Sequence, residues 1–153
     1  MQLYTIGYEG AALPDLIGVL KAAGVRTVLD VRDLPLSRSA GFSKRPLAAT
    51  LAEAGIGYLH LKGLGTPKEG RLANRAGRME EFWRIVDDSL ATPEAAHDLA
   101  RAAAVVAEAP ACLLCFEAQP HDCHRLRVAE LLAAGHGFAV RHLDPAAGPD
   151  PAF

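Results

Sequence analysis

Apolar residues recur along this chain in two rhythms, and the alternation between them predicts its architecture. Tyr4 to Tyr8 reads as a short strand that stops at Gly7. Leu13, Leu16, Ile17 and Leu20 then fall at i, i+3, i+4 and i+7, the stripe of an amphipathic helix, with Pro14 in its first turn and Gly24 at its cap. Thr27 to Val31 is a second strand, rich in β-branched residues and uninterrupted by glycine or proline, as in a sheet covered on both faces. A loop rich in Arg, Ser and Pro runs from Arg32 to Lys44. Pro46 opens a helix that carries Leu47 and Leu51 and ends at Gly55, and Gly57 to Leu61 is the third strand. Lys62 to Gly77 has four glycines and no helical period, so it reads as a long loop, either functional or disordered. Met79, Phe82, Trp83, Val86 and Leu90 restore the stripe, and Thr92-Pro93 caps an Ala-rich helix that runs to Glu108. Ala111 to Leu114 is the fourth strand, Leu126 to Ala134 a helix capped by Gly135, and Phe138 to Leu143 the last strand.

Alternating β and α elements imply an α/β fold: a single three-layer α/β/α domain around a mostly parallel sheet of about five strands, Rossmann-like or flavodoxin-like. The domain is expected over residues 1–144, followed by a Pro-rich tail over 145–153. A chain of 153 residues is long enough for one such core, burying roughly 70% of its unfolded surface. No run approaches the roughly 20 apolar residues that span a bilayer, and no cationic leader precedes the first strand. With three cysteines and no export signal, the expectation is a cytoplasmic protein without a disulfide framework.

Charge changes the picture locally. Between Arg32 and Arg78, nine Lys/Arg stand against three acids, so that window carries +6 while the remainder carries −8. A basic window in an acidic chain suggests either an anionic ligand or a solvated basic face. In a parallel sheet all strands end at one edge, which gathers residues distant in sequence. Here that edge receives Tyr8 and Glu9, Arg32 and Arg38, His60 and Lys62, and the stretch from Cys115 to Arg125. The opposite loops, at Ala22 to Val25, Gly55-Ile56 and Gly135 to Gly137, are short and nearly uncharged.

The densest chemistry lies in Cys115-Phe116-Glu117-Ala118-Gln119-Pro120-His121-Asp122-Cys123-His124-Arg125. Cys112 and Cys115 have the spacing of a redox dithiol, but on a strand they point to opposite faces, so Cys112 reads as core. Cys123 at a helix start, beside His124 and Arg125, is placed to become a thiolate or is simply half-buried. Glu117 is a general acid or base if burial raises its pKa, or else a loop carboxylate that neutralises Arg125 or Arg32. His124 is a proton carrier or a hydrogen-bonding cap, and Arg125 could clamp a phosphate or carboxylate. Zinc is set aside, because Cys-x7-Cys-His is not a standard spacing and adjacent Cys123 and His124 would struggle to face one ion. Asp30-Val31-Arg32 echoes the sulfurtransferases, but the anion loops of those enzymes and of cysteine phosphatases place a glycine or arginine five or six residues after the cysteine. Pro120 and His121 stand there after Cys115, and Val128 and Ala129 after Cys123.

Taken together, Thr5-Ile6-Gly7-Tyr8, Asp30-Val31-Arg32 with Pro35, Ser37, Arg38 and Phe42, Tyr58-Leu59-His60-Leu61 with Leu64-Gly65, and Cys115-x-Glu117-x-x-Pro120-x-x-Cys123-His124-Arg125 carry a resemblance. The chain resembles the bacterial and archaeal family known as domain of unknown function 488, from Thr5 to about Leu143. It departs from that pattern after Leu64-Gly65, where Thr66-Pro67 stands in place of a second glycine and an arginine. The resemblance implies a fold and a site rather than an activity.

Three functions are compatible with these residues. The leading one is an enzyme, a hydrolase or transferase, acting on an anionic and phosphate-bearing substrate such as a nucleotide or nucleic acid. Glu117, Cys123, His124 and Cys115 would carry its chemistry, while Arg32, Arg38, Arg125, His60 and Tyr8 would hold the substrate. The second is a non-catalytic nucleotide or nucleic-acid binding module, and the third a thiol redox protein in which Cys115 and Cys123 form a reversible disulfide. The sequence names no cofactor, metal or oligomeric state.

Overall fold

Period-two alternation gives each strand two distinct faces, and the helices divide between them. A computed structural model describes residues 1–145, so most of the Pro-rich tail expected over 145–153 lies outside the described residues. The strands are β1 (Gln2–Gly7), β2 (Thr27–Asp30), β3 (Gly57–His60), β4 (Ala111–Cys115) and β5 (Ala139–Leu143). The helices are α1 (Leu13–Ala22), α2 (Lys44–Glu53), α3 (Lys68–Arg75), α4 (Met79–Leu90), α5 (Pro93–Glu108) and α6 (Arg125–His136). All pairings are parallel, in the order β3-β2-β4-β1-β5, so this is an α/β/α sandwich of the Rossmann-like type.

β4 is buried throughout and lies at the centre, where a continuous apolar run belongs. Leu16, Val19 and Leu20 of α1 and Leu47 and Leu51 of α2 pack with Ile6, Val28, Cys112 and Leu114 on one face. Leu3, Leu29, Leu113 and Cys115 turn to the other face, against residues of α4, α5 and α6. Cys112 and Cys115 therefore lie on opposite sides of the sheet, as strand geometry requires.

Two expectations need correction. Lys62 to Gly77 is not a loop: a 3-10 turn, Lys62–Leu64, leads into α3. The buried positions of α3 are Gly70 and Ala73, while Leu72 is exposed, so no apolar stripe marks the helix in the sequence. α6 does not stop at Gly135 but continues to His136, because Gly137 takes the left-handed cap, with φ of 70°. Among the described residues, no helix is long and apolar enough to cross a membrane.

Candidate functional site

The C-terminal ends of β1, β2, β3 and β4 form one rim, and two polar assemblies sit there on opposite faces of the sheet. On the α1/α2 face the centre is Asp30, fully buried in β2, with Arg32 two residues on along the same face. Arg32 Nε donates to Asp30 Oδ1 at 2.9 Å and Nη2 to Oδ2 at 2.7 Å, a bidentate ion pair. Its Nη1 reaches the Tyr8 hydroxyl at 3.1 Å and the Phe42 carbonyl at 2.7 Å. Tyr58 donates its hydroxyl to Asp30 Oδ2 at 2.5 Å. The ring of Tyr8 stacks on Phe42 with centroids 4.5 Å apart. Burial opposes the charge on Arg32, but Asp30 more than offsets that and holds its pKa above the ordinary arginine value.

Arg32, expected to hold substrate, has every one of its guanidinium nitrogens engaged within the protein. Tyr8 belongs to the same knot. His60 joins it through the backbone, its Nε2–H donating to the Arg32 carbonyl at 2.7 Å. Asp30, Tyr58 and Phe42 were not among the candidate site residues. The signal for Asp30 was present: an acid in a buried strand, two residues from an arginine, needs a partner on its own face.

On the α3–α6 face lies the second assembly. The chain leaves β4 at Cys115, passes Glu117 and makes a 3-10 turn, Pro120–Asp122, before α6. Cys123 is extended, with φ −130° and ψ 142°, and His124 is already helical, with φ −61° and ψ −20°. That change of conformation between neighbours turns both side chains toward one point. Cys123 Sγ lies 3.8 Å from His124 Nδ1, and Cys115 Sγ lies 3.6 Å from the same nitrogen. The reason given for setting zinc aside, that adjacent Cys123 and His124 could not face one ion, does not hold in this geometry. Cys115, Cys123 and His124 place their donor atoms within 4.8 Å of one another, all three side chains being buried. The cysteines are free thiols.

His124 has one ring nitrogen committed. Its Nε2 lies 2.7 Å from the Val31 carbonyl, which only accepts, so that nitrogen carries a proton and Nδ1 is left facing the sulfurs. Glu117 is half-buried at the edge, with Oε2 3.7 Å from Cys115 Sγ. Burial and the negative charge of Cys123 push the Glu117 carboxyl up to about 7. For Cys123, burial works against ionisation, but the Cys115 thiol, His124 and Arg125 hold it well below the usual thiol range. Cys115 is the protonated member, raised by its hydrogen bond to Cys123 and by burial. His124 loses basicity to burial and regains more from the Cys123 charge, so its pKa is raised.

Arg125 fixes the loop that carries these groups. Fully buried, it donates from Nε to Thr5 Oγ1 at 3.2 Å, from Nη1 to the Glu117 carbonyl and from Nη2 to the Ala118 carbonyl at 3.1 Å. Gly7 explains how the loop fits: a Cβ there would lie 1.8 Å from the Glu117 carbonyl oxygen and 2.9 Å from Arg125 Nη1. Asn74 of α3 donates to the Asp122 carbonyl at 2.7 Å, and Arg71 pairs with Asp33 at 2.9 Å, so α3 is tied to the site loop and to the end of β2. Arg38 is exposed and makes no hydrogen bond or ion pair among the described residues. The expected gathering at one rim is present, but as two packed assemblies divided by the sheet rather than as one open cleft.

The match to the family model "Domain of unknown function DUF488" covers residues 12–132 and thus takes in β2, β3, β4, the cysteine loop and most of α6. The chain belongs to this family. The matched span is shorter than the resemblance over Thr5 to Leu143 and leaves out Thr5-Ile6-Gly7-Tyr8, although Gly7 and Thr5 contact the DUF488 cysteine loop directly. Comparison with curated proteins and with solved structures returned no match.

Proposed function

We propose that this DUF488 chain is an enzyme, a hydrolase or transferase, acting on an anionic, phosphate-bearing substrate such as a nucleotide or nucleic acid on the α3–α6 side of the rim. The observation that carries this reading is one half-open carboxylate, Glu117, 3.7 Å from the Cys115 sulfur at the edge of an otherwise buried cluster of reactive groups. A proton-transfer group has to reach both the substrate and its own supporting groups, and Glu117 is the member of the cluster open enough to do so. Cys115, Cys123 and His124 are the reactive centre behind it. Exposed bases (Arg38, Lys62 and Lys68) supply the attraction for phosphate. Arg125 serves as a positioning residue that holds the Glu117 carbonyl, and Arg32 and His60 brace the neighbouring strand ends.

Turnover against a panel of phosphate monoesters, diesters and nucleotides tests the proposal. Glu117→Gln should lower the rate at least ~100-fold, the usual size of a lost general acid or base, with the unfolding midpoint kept. Full activity in that variant removes the role from Glu117.

A second reading, reversible thiol oxidation, is favoured by the closeness of the Cys115 and Cys123 sulfurs. It requires that diamide reduce the titratable thiols from three to one, by oxidising the pair to a disulfide as diamide takes up two hydrogens. Three thiols remaining would exclude it.

A further inference from the structure

Cys115, Cys123 and His124 have the arrangement of a transition-metal centre, and the agreement extends beyond the identity of the donors. A tetrahedral zinc ion with bonds of about 2.3 Å to sulfur and about 2.0–2.1 Å to nitrogen sets each sulfur about 3.6 Å from the nitrogen. The two distances here are 3.6 Å and 3.8 Å. Both sulfurs stand at the same nitrogen, the one that the Val31 carbonyl leaves free. The far side of the ring matches as well. A metal-bound histidine usually donates its other N–H to a carboxylate or a backbone carbonyl, which orients the ring. His124 Nε2 does so with the Val31 carbonyl at 2.7 Å.

Burial sharpens the choice. Cys123 is fully enclosed and His124 is 4% exposed, so their donor atoms can be shared with a small ligand such as a metal ion but not with a bulky one. Two thiolates and one imidazole are a soft donor set, suited to zinc over magnesium or calcium. Cys112, on the opposite face of the sheet, takes no part.

We propose that Cys115, Cys123 and His124 bind one zinc ion, with the fourth position left to water on the side of Glu117. On binding, each cysteine still protonated gives up its thiol proton to solvent and both sulfurs become ligands. The ion stays Zn(II), and no oxidant or reductant is needed. Three protein ligands with one open position is the pattern of catalytic rather than structural zinc. The inference deepens the reading of the same cluster as a reactive centre, making the thiols ligands and leaving Glu117 as the proton carrier.

The test is metal binding by the full-length chain, reduced and stripped with a chelator, using Co(II) as a coloured probe and Zn(II) as competitor. The expected result is one equivalent bound, with sulfur-to-cobalt charge-transfer absorption and the intense visible bands of tetrahedral cobalt, both abolished by zinc. Cys115→Ser and Cys123→Ser should each weaken binding at least 100-fold, and Cys112→Ser should leave it unchanged. Circular dichroism of each variant separates lost ligands from lost fold, and the sulfur-to-cobalt band of the unmutated chain gives a readout free of substitution. Absence of binding in the unmutated chain, or binding with no thiolate band, overturns the proposal. Because no substrate enters this assay, its failure is separate from failure of the enzyme reading, which rests on the loss of turnover in Glu117→Gln.

Discussion

The Asp30–Arg32 knot and the Cys115–Cys123–His124 cluster lie at the same rim of one sheet, both buried and both built from ionisable groups, yet they are satisfied in different ways. In the knot, charge meets charge: Asp30 accepts from Arg32 Nε, Nη2 and the backbone N–H, and from Tyr58. All its contacts are short. In the cluster the sulfurs stand at 3.6–3.8 Å from a single nitrogen, with a carboxylate at 3.7 Å, and no short bond links the members to one another. A saturated buried network specifies structure, whereas an unsaturated one keeps a stored capacity for a proton or an ion. The difference marks one face as framework, and the proposed function draws its chemistry from the other.

Breaking the knot should have the largest effect on stability. Asp30→Asn leaves the Arg32 guanidinium buried beside a neutral amide, and removing one partner of a buried pair costs about 3–5 kcal/mol. Urea unfolding reads this directly, and a loss under 1 kcal/mol would mean that the knot is not structural. Next in size is Gly7→Ala, which forces the loop away from β1 at an overpacking cost of about 1–3 kcal/mol. Because the displaced atoms are the Glu117 carbonyl and Arg125, this variant should also lose turnover, so a fully active Gly7→Ala would detach the loop from the chemistry. Arg38→Ala should be the mildest: stability within about 0.5 kcal/mol of the parent, as for an exposed unpaired side chain. Its effect should appear as a higher KM for a phosphate substrate, and an unchanged KM would take Arg38 out of the binding surface.

Much of this was legible in the chain. Strand order within β1–β5 was not, but the parallel α/β layout followed from alternating periods, and Cys112 and Cys115 separated onto two faces because a strand has a period of two. α3 escaped notice because a helix that buries Gly70 and Ala73 against α4 needs no apolar stripe. The pairing of Arg32 with Asp30 was not legible for a physical reason: an arginine just past a strand end looks the same in sequence whether it faces solvent or an acid behind it. Cys123 and His124 were judged too close in sequence to share a point, because that judgement assumed one conformation for both. The proline-led turn before Cys123 supplies two.

The division of labour between the two faces is tested most directly by urea unfolding of Asp30→Asn and Cys123→Ser side by side, with chelator present so that metal does not contribute. The account predicts a loss of about 3 kcal/mol or more for Asp30→Asn and about 1 kcal/mol for Cys123→Ser. The reverse order, with Cys123→Ser the more damaging, would make the cysteine cluster the framework and contradict the account.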